Sequence, residues 1–547
     1  MDLTALFWYL VLLAGVVISL GVLFFLSAPD GRWRRTVEAR LYKGLPWGTL
    51  IAVAGVAAFY LFVQDGLANP TNPVDIPFRA YSYFYPLGML TSGFAHSGLG
   101  HVTSNLIATL VFGSLAEYAW GHFPEIESPS PDSSLLSTPF ARIAAWVGAI
   151  VVIGISTSMF GLGPVIGFSG VVFAFVGFAL VQYPIATIVA ALSTRIVNGL
   201  YNAVRSPEIQ QTATETFSAP WWSNVAIQGH ALGLLLGALA GIALLYYRDV
   251  RPKPEHVWIA ALAFAVDRGM WAIYLPVGDE TYRLFRALGM AAVFLLAALL
   301  ASGATATNRM LLSRIELSRR EAAVGLVIAA FVAMSAVAIP LNLYVVDDAT
   351  VGLETAEPIE VEDYTVFYAE GVQNQFIPAI PIPGDVETEE RVNASGVIVV
   401  SERRNIWWQE VSRNRLASSG SATVRVGGLA WNEDLLATRT TWSVAGSDPT
   451  YHVRLGPADT EERAVVFRAP PARSDAVIDG RNTTIAPVDD YFEITVSRDD
   501  DLLGSARIPQ DTESVAIGGL TFVREDQSLF AERGETRVRV AQKGREG

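Results

Sequence analysis

The chain has 547 residues, of which 51% are hydrophobic and 17% charged, a balance too apolar for a single soluble domain. It contains no cysteine, which excludes disulfides, thiolate metal sites and cysteine nucleophiles. Residues 345–547 carry 35 acidic against 20 basic side chains, whereas residues 1–344 are nearly neutral, and this acidic balance argues against a nucleic-acid partner.

Ten apolar segments follow one another along the first 344 residues, and each predicts a helix in a hydrocarbon layer about 30 Å thick. They span residues 6–26, 47–63, 102–119, 141–160, 169–182, 185–204, 224–247, 256–275, 283–302 and 322–344. Basic residues follow the first segment rather than precede it, so we interpret it as a retained anchor and not a signal peptide. The pattern predicts an α-helical, multi-pass protein of the cell membrane.

Basic clusters at residues 32–43, 248–253 and 309–320 follow the first, seventh and ninth segments. Lysine and arginine are enriched in cytoplasmic loops. If all ten segments cross the membrane, the three clusters share the cytoplasmic face, and both termini are extracytoplasmic.

Polar residues cluster where the third segment begins. His96, His101 and Asn105 form an H-x4-H-x3-N pattern, and His101 and Asn105 share one face of a helix because they are four residues apart. Polar and ionisable groups are costly in membrane helices, so each of them is a functional candidate.

Ser169 opens the fifth segment within Gly167-Phe168-Ser169-Gly170. Backbone N–H groups in the first turn of a helix have no intrahelical acceptor, and with the helix dipole they favour an oxyanion beside the hydroxyl. Gly170 also lets another backbone approach closely. The alternative is that this small serine only eases helix packing.

His230 lies in the seventh segment on a stripe with Gly233, Gly237 and Gly241, at spacings of three, seven and eleven residues. If the stripe packs on the helix of Ser169, His230 can take the serine proton as a general base. The alternative role for this histidine is an interhelical hydrogen bond.

These three blocks, in this order within membrane helices, resemble the rhomboid intramembrane serine proteases over residues 47–247, a six-helix core. The resemblance implies that Ser169 is the nucleophile and His230 its base. It implies that His101, Asn105 and the Ser169 N–H hold the oxyanion.

The same resemblance implies supporting roles for the outer histidine of the first block, His96, and for the aromatic ring placed against the catalytic histidine, Phe173. We expect helix-packing roles for four glycines, Gly167, Gly170, Gly233 and Gly237. No metal or cofactor is expected.

Several features depart from this family. Phe78-Arg79 stands where a Trp-Arg pair is expected, an extra helix and basic loop at residues 1–46 precede the core, and three more helices at residues 248–344 follow it. Asp267-Arg268 falls in the middle of the eighth predicted helix. We interpret it as a structural link to other helices, with an ion or proton path as the alternative.

Residues 345–547 predict an acidic, all-β extracytoplasmic domain. Its short β-branched runs are separated by Gly, Pro, Asp and Asn, and two glycosylation sequons begin at Asn393 and Asn482. Only three of the 39 basic residues are lysines, and an acidic, lysine-poor exterior suggests a halophilic, and by the resemblance archaeal, source.

Two functions fit the sequence. One is an intramembrane serine endopeptidase that binds transmembrane protein substrates within the lipid bilayer. The other is a catalytically inactive rhomboid-like protein that binds or escorts membrane proteins. Retention of both Ser169 and His230 favours the endopeptidase.

Overall fold

A computed structural model of the chain describes residues 3–27, 32–123, 136–205, 220, 222, 225–276, 282–312, 316–346, 358–373, 376–378, 393–460, 463–499 and 501–544. Residue 224 of the seventh predicted segment and Arg314 of the third basic cluster lie outside these ranges. The chain forms two compact units. The helical unit comprises Met1–Leu275 and Tyr282–Leu343, and the β unit comprises Pro276–Thr281 and Tyr344–Gly547.

Thirteen α-helices lie in the described part of the helical unit. They are α1 (Leu3–Ser27), α2 (Arg32–Glu38), α3 (Trp47–Ala58), α4 (Pro86–Thr91), α5 (Leu99–Ala108), α6 (Ser114–Trp120), α7 (Pro139–Met159), α8 (Ser169–Gln182), α9 (Pro184–Arg205), α10 (Ile227–Tyr247), α11 (Pro254–Asp267), α12 (Arg286–Thr305) and α13 (Arg319–Asn342). A π-helical turn at Phe59–Val63 extends α3, and another at Thr109–Gly113 joins α5 to α6.

Within the described residues, five helical stretches are long and apolar enough to cross a membrane: Leu99–Trp120, Pro139–Met159, Ile227–Tyr247, Arg286–Thr305 and Arg319–Asn342. Three more apolar helical stretches are shorter, at Leu6–Ser19, Trp47–Val63 and Ser169–Gln182. The five candidate spans in the described part of the chain support the predicted helical, multi-pass character.

Each of the ten predicted segments overlaps a helix, and the largest difference is in the eighth. Helix α11 ends at Asp267, because Gly269 adopts a positive φ of 66° and the Met270 and Gly269 N–H groups donate to the Ala265 and Val266 carbonyls. This is the glycine-based Schellman end of a helix. The prediction that Asp267-Arg268 lies in mid-helix is therefore wrong.

Helix α8 is the centre of the helical unit. Every residue from Gly170 to Val181 is buried, in keeping with a sequence that is apolar on all sides of the helix. It packs most extensively on α10 and also contacts α6, α7, α9 and α11. Ser169, at its first position, is thus held at the start of a helix that is buried along its length.

Two short strand pairs lie between helices in the described part of residues 254–342. The hairpin β1 (Tyr274–Pro276) with β2 (Tyr282–Leu284) follows α11, and β3 (Met310–Leu312) pairs with β4 (Leu317–Ser318) between α12 and α13.

The β unit is built of antiparallel strands. They are β5 (Tyr344–Val346), β6 (Ile359–Val361), β7 (Tyr364–Gln373), β8 (Phe376–Pro378), β9 (Asn393–Ser401), β10 (Ile406–Ser412), β11 (Ser421–Gly427), β12 (Asn432–Val444), β13 (Thr450–Pro457), β14 (Ala464–Arg468), β15 (Ala472–Arg473), β16 (Arg481–Val488), β17 (Tyr491–Arg498), β18 (Asp501–Arg507), β19 (Ser514–Ile517), β20 (Leu520–Glu525), β21 (Ser528–Arg533) and β22 (Thr536–Lys543). The largest sheet has the order β14-β13-β12-β22-β21-β20-β19, with β11 also paired to β12.

Two smaller sheets have the orders β10-β9-β7-β6 and β15-β16-β17-β18, and β5 pairs with β8. The predicted β-rich character is confirmed, but the unit is not all-β. Helix α14 (Arg413–Ser419) follows β10, where Ser412 accepts the Arg415 N–H and Gly420 ends the helix at a φ of 77°. Of the two sequons, Asn393 is exposed and Asn482 is buried within β16.

Candidate active site

Ser169 and His230 meet at the N-terminal ends of α8 and α10. The Ser169 Oγ lies 2.8 Å from the His230 Nε2, and both side chains are half-buried. A serine hydroxyl that donates to Nε2 requires a neutral imidazole with its proton on Nδ1. This is the arrangement in which a histidine can accept the serine proton.

Glycine residues let the two helices approach closely enough for this contact. A Cβ atom added to Gly233 would lie 2.1 Å from the Gly170 carbonyl oxygen, and one added to Gly237 would lie 1.8 Å from that of Ala174. At Gly170 an added Cβ would lie 2.7 Å from Thr157 of α7. Three of the four glycines named from the sequence therefore lie at close helix contacts.

The fourth glycine, Gly167, has a different role. It precedes α8 by two residues and has a φ of 126°, in the region that favours glycine. An added Cβ would lie 2.6 Å from the His101 Cε1 and 2.7 Å from its Nε2. Gly167 thus brings the chain leading to Ser169 against the His101 ring, rather than packing two helices together.

Phe173 fixes the plane of the His230 ring. The two rings are stacked, with centroids 4.2 Å apart and planes inclined by 8°. Among the residues that the structure describes, none hydrogen-bonds to the Nδ1 of His230. The orienting contact on this imidazole is therefore an aromatic face and not a carboxylate.

His96 is buried within the helical unit, where it contacts Asn105. Its side chain is fully buried, and its Nε2 accepts from the Asn105 Nδ2 at 3.0 Å and from the Phe168 N–H at 3.4 Å. Two donors to Nε2 place the ring proton on Nδ1. His96 thereby connects Asn105 of α5 to the residue before Ser169.

Gln64 was not singled out from the sequence, yet it holds the loop that carries His96. Its side-chain oxygen accepts the His96 N–H at 2.8 Å, and its nitrogen donates to the His96 and Val74 carbonyls at 2.8 and 2.9 Å. A buried glutamine at the end of an apolar segment is the signal that could have found it.

Gln228 and Asn342 hold the turn that follows α7. Gln228 donates to the Phe160 carbonyl at 2.8 Å and to that of Met334 at 3.0 Å, and Asn342 donates to the Gly161 carbonyl at 2.8 Å. This turn leads to Ser169, so residues of α10 and α13 shape its approach.

A small cleft lies beside the Ser169 hydroxyl. Most of its lining residues are small or carry short polar side chains: Ser92, Gly93, Thr157, Ser158, Val165, Ile166, Gly167, Ser169, Gly170, Ala226, Gly229 and His230. His101 and Asn105 lie beyond Gly167, outside this lining.

Two more polar groups of the sequence have structural partners. Glu117 is buried and accepts the Gly48 and Thr49 N–H groups at 2.7 Å each, which caps the N-terminus of α3, and it also pairs with His122 at 2.7 Å. Asp267 forms an ion pair with Arg195 of α9. This contact links two helices and favours the structural interpretation of Asp267.

Within the described residues, no group of three or more metal-binding side chains is found. Comparison of the chain with protein-family models, with curated proteins and with solved structures finds no match. The geometry of the site is that of a serine hydroxyl within hydrogen-bond distance of a histidine ring nitrogen.

Proposed function

We propose that this chain is an intramembrane serine endopeptidase of the rhomboid type, in which Ser169 is the nucleophile and His230 the general base. The observation that carries the proposal is the 2.8 Å contact between Oγ and Nε2 beside a cleft in an apolar helical unit. Residues 47–247 would form the six-helix protease core.

The reaction follows from the positions of these groups. The Ser169 Oγ attacks a peptide carbonyl carbon while its proton passes to the His230 Nε2. The imidazolium then donates that proton to the leaving amine, which leaves an acyl-enzyme. Water, deprotonated by the same Nε2, hydrolyses the ester and releases the second fragment.

The developing oxyanion needs donors. The Ser169 and Gly170 N–H groups at the start of α8 supply them together with the dipole of that helix, since the next two N–H groups already donate to the Phe168 carbonyl. His101 and Asn105 are proposed to contribute from beyond Gly167, where the His101 Nε2 faces the chain that leads to Ser169.

We further propose that all ten predicted segments cross the membrane, so that both termini and the β unit are extracytoplasmic. Protease added outside intact cells is expected to remove the region beyond Val345 and to leave the loop at residues 309–320 intact. Protection of the first and cleavage of the second would mean that the orientation is inverted.

The proposal is tested with a fluorophosphonate probe, which labels only an activated serine. Labelling is expected for the wild type and is expected to be lost in Ser169→Ala and His230→Ala. Ser156→Ala is the matched control, because its hydroxyl donates to the Val152 carbonyl of the same helix and the residue is not among those that line the cleft. If the wild-type protein is folded and binds membrane proteins but is not labelled by the probe, the result would instead support the catalytically inactive, binding alternative.

A further inference from the structure

We infer that Phe264, on the additional helix α11, is a positioning residue for the general base His230. The inference rests on the proposed function and extends it beyond residues 47–247. If it holds, the added helices are part of the catalytic machinery rather than an appendage to it.

A chain of aromatic rings connects α11 to the base. The Phe264 ring meets the Phe173 ring edge to face, with centroids 5.5 Å apart and an interplanar angle of 70°. Phe173 in turn stacks on His230 at 4.2 Å. Phe264 also contacts the Phe112 ring at 6.1 Å and 85°, so it fills the space between α8 and the turn that joins α5 to α6.

The position of Phe264 is itself fixed. Its side chain is only 4% exposed, and the Arg268 guanidinium lies 5.7 Å from its ring centroid. One turn further along the chain, Asp267 pairs with Arg195, which ties the end of α11 to α9. The ring therefore has little freedom to move away from Phe173.

This support matters because the base has no carboxylate partner. Among the described residues, stacking on Phe173 is the contact that sets the ring plane of His230, and Phe173 has no hydroxyl with which to anchor itself. Removing the Phe264 ring would leave a cavity into which Phe173 can tilt. A displacement of the imidazole of about 1 Å costs on the order of 10²-fold in rate.

The test compares Phe264→Ala with Trp258→Ala in the full-length protein. Trp258 is on the same helix, but it is 37% exposed and packs on Phe294 instead. We expect Phe264→Ala to lower the rate constant of fluorophosphonate labelling at Ser169 by about 10- to 100-fold and Trp258→Ala to change it less than about 2-fold. If Phe264→Ala does not fold, Phe264→Leu keeps most of the volume and is expected to lose about 10-fold.

A double-mutant cycle with Phe173→Ala separates positioning from general destabilisation. If Phe264 acts through Phe173, then Phe264→Ala should change labelling less than about 2-fold in the Phe173→Ala background, whereas independent effects would multiply. Wild-type labelling of Phe264→Ala, or independent effects in the cycle, would overturn the inference. Absence of Ser169 labelling in the wild type would instead overturn the proposed function.

Discussion

Substitution of Gly233 by alanine tests whether the proposed dyad depends on the contact between α8 and α10. The added Cβ would lie 2.1 Å from the Gly170 carbonyl oxygen and 2.9 Å from its carbonyl carbon. Both are backbone atoms, so no side-chain rotation relieves the clash. Since ordinary contacts are 3.4 Å or longer, the two helices must separate by about 1 Å or more at this point.

The clash is one turn of α10 away from His230, so the separation acts directly on the 2.8 Å distance between Oγ and Nε2. Proton transfer requires a heavy-atom distance near 3 Å, and we expect Gly233→Ala to slow fluorophosphonate labelling by about 10²-fold. The labelling rate constant is measured in detergent, with thermal unfolding followed in parallel.

Gly148→Ala is the matched control for this change. It places the same methyl group on α7, where an added Cβ meets nothing within 4 Å. Its labelling rate should equal that of the wild type. Should Gly233→Ala also label at the wild-type rate, His230 does not reach Ser169 through this interface and the dyad would have to be withdrawn.

Three further predictions concern other parts of the chain. His101→Ala or Asn105→Ala should each lower kcat by about 10²-fold with little change in KM, because these donors would meet charge that exists only in the transition state; a change confined to KM would assign them to substrate binding. Glu117→Ala leaves the N–H groups in the first turn of α3 without their acceptor and should lower the free energy of unfolding by about 3 kcal/mol. This free energy is measured by denaturation in detergent, and an unchanged value would contradict the capping role. Burial, with Arg454 and Arg468 nearby, lowers the pKa of His452 to about 4, so the unfolded chain binds a proton below pH 6.5 that the folded β unit does not. Urea midpoints of the β unit should therefore fall between pH 6.5 and pH 5, and less steeply in His452→Phe; equal slopes would exclude His452 as the cause.

Local patterns in the sequence predicted most of the helices and the β-rich character of the C-terminal region. Helix α8 begins and ends where its apolar segment does, at Ser169 and Gln182, because burial on all sides leaves a continuous apolar run. The end of α11 near Gly269 was not predicted, because the apolar pattern of the sequence continues beyond this glycine. Helix α14 was missed because its seven residues contain no apolar periodicity.

The candidate site also contains residues that a local sequence pattern identifies and residues that it does not. Ser169, His230 and their glycines follow from spacing within single helices, and the structure brings them together. Phe264 carries no local signal, because its significance comes from a contact between α11 and α8 that are some 90 residues apart in the sequence. Gln228 and Asn342 are visible as polar residues in apolar segments, but their partners are backbone carbonyls, which no residue pattern identifies.

An aromatic ring stacked on His230 suits the apolar surroundings of this histidine. In a soluble triad, a buried carboxylate orients the histidine and stabilises the imidazolium. A carboxylate in an apolar helix bundle is costly unless it is fully paired, as Glu117 is by two backbone N–H groups and His122. At His230 the Phe173 face sets the ring plane without introducing a buried charge, and its quadrupole would favour the imidazolium that the proposed reaction forms. Because a ring without a hydroxyl has no hydrogen bond to fix it, its orientation depends on close packing, and for this reason we propose that Phe264, outside residues 47–247, affects the reactivity of Ser169.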